Sequence, residues 1–159
     1  MKTKLIVALA AMSMAAPAFA EGDAAAGERE YNKCRACHMI QDNDGNNIVA
    51  GGRTGPNMFN IIGSKIAAEE GFRYGPGLLA VAEANPDAVW DAQSIAAYIT
   101  DPTAWVQEHS GDASARSAMT FRLQRGQEDL VAYLLTVSPD APEQHEEGDG
   151  SPVPPPAAE

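Results

Sequence analysis

An all-α domain of several short helices and long loops, wrapped around something other than protein, is the fold this sequence predicts. Three observations carry it. Several segments have the 3.6-residue apolar period with clear caps and stops, no segment shows a convincing strand alternation, and aromatic residues make up only 6% of the chain. Helices with so few large side chains leave the centre to be filled by another group.

The chain opens with Lys2 and Lys4, an apolar run from Leu5 to Ala11, and the small-residue stretch "AAPAFA". That order reads as a secretory signal peptide over 1–20, cleaved after Ala20 in the pattern Ala18-Phe19-Ala20. A membrane anchor is the competing reading, but the run is well short of the roughly 20 residues a spanning helix needs. Cleavage leaves 139 of the 159 residues, a length that fits one domain, and places it in the periplasm. It also takes the formal charge from -11 to -13, because two lysines leave and no acid does. Such a chain does not bind nucleic acid or anionic lipid through net charge, and stable membrane insertion is not expected.

The domain is expected over 21–138. In "GDAAAGEREYNKC", Asp23 is the N-cap of a first helix, with Gly27, Tyr31 and Cys34 on one face. A glycine inside a helix costs about 1 kcal/mol relative to alanine, so Gly27 is expected where another backbone comes close. The partner is "GQEDLVAYLLTV", in which Leu130, Tyr133, Leu134 and Val137 form an apolar stripe and Glu128 and Asp129 suit the positive helix start. These two terminal helices are expected to cross at Gly27. Between them, "LLAVAEANP" reads as a short helix stopped by Asn85-Pro86. "WDAQSIAAYITDP" reads as a better defined one, with Asp91 as N-cap, Trp90 and Ile95 as a hydrophobic staple, and Asp101-Pro102 as the stop. "PTAWVQE" adds a turn or two.

Long polar loops run from Met39 to Lys65 and through "HSGDASARSAM"; loops of this length in a small domain are usually functional or wrapped around something. From 139 to 159 the sequence turns to proline and acid without apolar period, the composition of a disordered tail.

Both cysteines lie in "NKCRACHM", two residues apart, with His38 directly after the second. A disulfide there would close a minimal loop and stabilise little. C-x-x-C-H is the attachment signature of c-type haem: Cys34 and Cys37 add to the two vinyl groups, and His38 is held under the iron. A thioredoxin-like pair would want a βαβ context, and a structural zinc site would want four ligands where only His109 and His145 remain. One covalent haem c is therefore the expected cofactor.

The second axial ligand separates an electron carrier from a ligand-binding or catalytic haem. Met39 adjoins His38 and cannot reach the opposite face, and Met58 follows Gly55-Pro56 in an expected proximal-side loop. Met119 lies just before the final helix in "ARSAMTF", and His109 is its rival, with a lower potential as the consequence. Spacing alone leaves both open, and leaves Met119 an alternative role as core filler.

In its order of motifs, the chain resembles the class I c-type cytochromes, most closely the larger bacterial branch typified by periplasmic cytochrome c-550. Those motifs are Gly27 and Tyr31, "CRACH", "TGPN", "GF-x-Y" from Gly71 to Tyr74, Trp90, "AYITDP", "MTF" and "DLVAYL". The resemblance implies a class I cytochrome c fold around one covalently bound haem, with His38 and Met119 as axial ligands. It implies that the Pro56 carbonyl accepts from the His38 imidazole, fixing the ring and raising its basicity. It also implies that Tyr98 lies near the methionine sulfur, that Tyr74 and Trp90 bond a haem propionate, and that Phe121 shields the haem edge. Without it, Tyr74, Trp90 and Tyr98 read as core aromatics with a polar tip.

Two departures stand out. The family's arginine in "GRK" is Ser64 here, in "IIGSKI", so a guanidinium partner for a propionate is lost, with Lys65 an imperfect substitute. The branch is commonly lysine-rich around the haem edge, whereas this chain has only Lys33 and Lys65 after processing. Yet Lys33, Arg35 and Arg53 flank the proximal motifs, and Arg116, Arg122 and Arg125 flank Met119, so a locally positive ring on an acidic body is expected to steer docking.

Together these observations predict a monomeric, soluble periplasmic one-electron carrier that needs no catalytic acid, base or nucleophile. The resemblance implies a quinol-oxidising cytochrome bc complex as donor, and an oxidase, peroxidase, nitrite reductase or reaction centre as acceptor. The alternative is a haem enzyme or gas-binding protein with an open or labile distal position.

Overall fold

Asp23 starts the first helix by reaching forward: its carboxylate accepts the N–H groups of Ala25 and Ala26 at 2.8 and 3.1 Å, the preferred use of an N-cap aspartate. In this computed structural model, which describes residues 22–142, helix α1 spans Ala24–Tyr31. The expected signal peptide lies outside the described residues.

After α1 the chain forms a small antiparallel hairpin, β1 Ile40–Gln41 and β2 Asn47–Val49, with Ile40 opposite Val49. Sequence reading finds no strand here, and the hairpin corrects it. Strands of two and three residues are too short to display alternation. The readable signal is the turn "DNDGNN", where the Asp42 carboxylate accepts the N–H groups of Asp44 and Asn46 at 3.0 and 2.8 Å.

Helix α2 spans Pro76–Ala84, with proline in the first turn, where its missing N–H costs nothing. Asn85 ends it and donates from its side chain to the carbonyls of Val81 and His109 at 3.1 and 2.8 Å. Helix α3 spans Ala92–Thr100 and opens on a reciprocal capping box between Asp91 and Ser94. Helix α4 spans Pro102–Ser110, nine residues and so longer than the turn or two read from sequence. Asp101 explains the sharp α3–α4 corner, since it ends α3 and its carboxylate accepts the Ala104 N–H at 3.1 Å to begin α4.

Helix α5, Gln127–Thr136, packs on α1 as expected. A Cβ added to Gly27 would stand 1.9 Å from the Asp129 carbonyl oxygen, so only glycine allows this approach. Tyr31 and Tyr133 follow, their ring centroids 5.7 Å apart, and Leu130, Tyr133, Leu134 and Val137 are all buried. The first tail residues remain attached to the domain: Asn60 and Asp140 exchange two hydrogen bonds, at 2.7 and 3.1 Å. Disorder from 139 thus does not hold for residues 139–142, and 143–159 lie outside the described residues.

Candidate cofactor site

A cavity of about 420 Å³ opens among α1, α3, α5 and the long loops. Its apolar wall includes Ile61, Leu78, Ile95, Ile99, Leu130 and Leu134; set into it are Cys34, Cys37, His38, Pro56, Tyr74, Trp90, Tyr98 and Met119. All eight residues singled out in the sequence therefore meet on one space.

The "CRACH" segment continues the turn of α1. Cys34 N–H donates to the Tyr31 carbonyl at 2.8 Å, and His38 N–H to the Cys34 carbonyl at 2.9 Å. The loop after the hairpin folds back on it, with Gly55 N–H donating to the Cys37 carbonyl at 2.8 Å. A Cβ on Gly55 would stand 2.3 Å from the His38 ring, so glycine is what lets the loop lie on the imidazole. His38 Nδ1 is 2.8 Å from the Pro56 carbonyl, which can only accept, so Nδ1 carries the proton. Burial holds the His38 imidazole below its ordinary range, with the Pro56 carbonyl pulling the other way. The ring is thus neutral near pH 7, with an Nε2 lone pair free to bind a metal.

Both cysteines are free thiols. Burial, then the Glu30 carboxylate, pushes the Cys34 thiol up to about 11, opposite to the depressed thiol of a disulfide-exchange centre. A neutral imidazole, two thiols at C-x-x-C spacing and an apolar chamber fit a covalently attached haem.

Met119 is half-buried on the cavity wall. Its backbone N–H donates to Ser117 Oγ at 3.1 Å, and the same oxygen lies 2.9 Å from the Tyr98 hydroxyl. Sequence reading missed Ser117; its only signal is a hydroxyl two residues before the methionine, the spacing of a side-chain turn. Burial pushes the Tyr98 phenol up, and the Ser117 bond opposes it. Met58 also lines the cavity, but it sits two residues from Pro56 with its N–H on the Met39 carbonyl at 3.0 Å, which keeps it on the His38 side. His109 does not line the cavity: it stacks on Trp105 at 4.0 Å and its Nδ1 donates to the Trp105 carbonyl at 2.8 Å. Of the two candidates, Met119 lines the cavity and His109 does not.

Trp90 is only 4% exposed, held by its N–H on the Ser64 carbonyl and its carbonyl under the Gly63 N–H, at 2.8 and 2.7 Å. Phe121 stands at the mouth, 40% exposed. Lys65 does not substitute for the missing arginine: its ammonium donates to Pro86 and Asp87, both at 3.2 Å, outside the cavity. Of the basic ring, Lys33 pairs with Glu30, and Arg122 with Asp101 at 3.1 Å, so acids offset two of its six charges.

No protein-family model matches the chain. It is 54% identical over 142 residues to cytochrome c-550 of Paracoccus versutus, covering 89% of this chain and 92% of that one. Over 121 residues it is 56% identical to cytochrome c-550 of Paracoccus pantotrophus, covering 76% and 90%. Its fold superposes on the crystal structure of cytochrome c2 from Paracoccus denitrificans with a TM-score of 0.75 and 52% identity, covering 76% of this chain and 99% of that one.

Proposed function

The chain belongs to the class I c-type cytochromes of the cytochrome c-550/c2 type, and from that premise we infer a periplasmic one-electron carrier whose haem c is joined to Cys34 and Cys37. The reading rests on one convergence: both thiols, a neutral imidazole with a free Nε2, and a methionine all face the same apolar cavity. Bound there, the haem supplies a couple between ferrous and ferric iron.

The residues do the rest. Pro56 fixes the tautomer and plane of His38, whose Nε2 would hold the iron. Met119, its backbone tied through Ser117 to Tyr98, would hold the iron with its thioether sulfur. Ile61, Leu78, Ile95 and Ile99 exclude water and so favour the less charged, reduced state. Tyr74 and Trp90 on the cavity wall would hold a haem carboxylate, and Phe121 would shield the haem edge. No proton transfer or nucleophile enters the cycle. A labile distal position finds no support in the loop before Met119, where Arg116 donates to the carbonyls of Ala113, Ser114 and Ala115.

Residues 1–20 export the chain, on the strength of Lys2, Lys4 and Ala18-Phe19-Ala20. Its partners are redox proteins: a cytochrome bc complex as donor, and an oxidase, peroxidase, nitrite reductase or reaction centre as acceptor. They dock where Phe121 is exposed beside Arg122 on a molecule whose formal charge, -11 for the full chain, becomes -13 after cleavage.

Optical spectra of the ferric and ferrous protein, with and without carbon monoxide, test the reading. A c-type spectrum, a ferric methionine-to-iron band lost in Met119→Ala, and no carbon monoxide shift are expected. Ready carbon monoxide binding without that band would overturn the carrier assignment.

A further inference from the structure

We propose that Arg73 supplies the cation for the cofactor's carboxylates, a role that neither Ser64 nor Lys65 can fill in this chain. A c-type porphyrin is joined to the protein along its vinyl edge, so its two carboxylates lie on the opposite edge, away from Cys34 and Cys37. Tyr74 and Trp90, the residues that the resemblance assigns to a carboxylate, both line the cavity, and the Trp90 ring lies 5.1 Å from that of Tyr98. Among the described residues, the lysines and arginines that line the cavity are Lys33 and Arg73. Lys33 sits beside Cys34 and pairs with Glu30. Arg73 immediately precedes Tyr74, and among the described residues its side chain has neither a hydrogen bond nor an ion pair.

The neighbouring loop offers nothing in its place. The Ser64 hydroxyl turns back onto the Ile61 carbonyl at 2.8 Å, and Lys65 is held by Asp87 and Pro86. The other charged or titratable groups at this end are Glu69, which accepts the Asn57 N–H at 3.3 Å, with Glu70, Tyr74 and Tyr98; Arg116 is occupied by backbone carbonyls. A planar fork on the cavity wall matches a carboxylate with parallel N–H donors.

The proposal rests on haem c being bound, and the test separates the two. Wild-type protein and Arg73→Gln are first compared by spectrum, which reports haem attachment and axial ligation and is expected to be unchanged. Reduction potential is then followed from pH 5 to 9 by spectroelectrochemistry. An adjacent cation keeps a carboxylate ionised to lower pH, so in Arg73→Gln the pH at which the potential begins to fall should rise by about one unit. Adding Ser64→Arg to Arg73→Gln should move it back down, and Lys65→Met should leave it in place. An unchanged curve in Arg73→Gln, or an equal shift in Lys65→Met, overturns the assignment.

Discussion

The Tyr98 and Ser117 hydroxyls lie 2.9 Å apart, and the Ser117 oxygen also receives the Met119 backbone N–H at 3.1 Å. One buried serine thus couples a core phenol to the expected distal ligand. Removing one such bond costs about 1 kcal/mol, or about fivefold in an equilibrium. Ser117→Ala should therefore bind added imidazole at the ferric iron about fivefold more tightly, with Ser117→Thr restoring the native affinity. Identical titrations for wild type and Ser117→Ala would show that the serine does not restrain Met119.

Gly27→Ala tests the α1–α5 contact with a prediction opposite in sign to helix propensity. Propensity alone would stabilise α1 by about 1 kcal/mol. The added methyl meets backbone, the Asp129 carbonyl at 1.9 Å, so the helices must part. Overpacking at this level costs about 1–3 kcal/mol, and after the propensity gain guanidinium denaturation should show a net loss of about 1 kcal/mol. A variant more stable than wild type would mean that the contact yields.

Tyr31 carries the one buried side-chain polar atom that lacks a hydrogen-bond partner among the described residues. Tyr31→Phe should raise stability near pH 7 by about 1 kcal/mol, because it removes a desolvated hydroxyl and keeps the ring against Tyr133. Burial, chiefly, raises the Tyr31 phenol above its ordinary value. The folded state therefore holds its proton where the unfolded chain releases it, and stability falls as pH rises above about 10. Denaturation at pH 8 and pH 11 should show a smaller alkaline loss in Tyr31→Phe. An equal loss in both proteins would place the titration elsewhere.

Arg116→Gln/Arg122→Gln/Arg125→Gln should slow electron transfer to a cytochrome bc complex or oxidase about tenfold at low ionic strength and flatten its salt dependence. Arg122→Gln alone should contribute least, since Asp101 already offsets that charge at 3.1 Å. Stopped-flow rates across a salt series decide. Unchanged rates would mean that docking ignores this patch.

The parts of the site written in local sequence were legible. C-x-x-C-H, the Asp23 and Asp91 caps, and the apolar stripe of α5 each announce themselves within a few residues. His109 against Met119 was not legible from spacing, because that choice depends on how α4 packs; stacking on Trp105 settles where the histidine goes. Ser117 was invisible for a similar reason, since its partner Tyr98 is nineteen positions away. The partners of Lys65 are not legible either, because nothing local in the sequence shows that its ammonium meets Asp87 and the Pro86 carbonyl.

Both tryptophans of the chain, Trp90 and Trp105, are buried and stacked 5.0 Å apart, one lining the cavity and the other under His109. A porphyrin bound beside Trp90 should quench both indoles in the native protein. Unfolding carries both indoles into water and away from that quencher. Indole emission should therefore be low in the folded protein and rise on unfolding, so the stability comparisons above should be readable without a label.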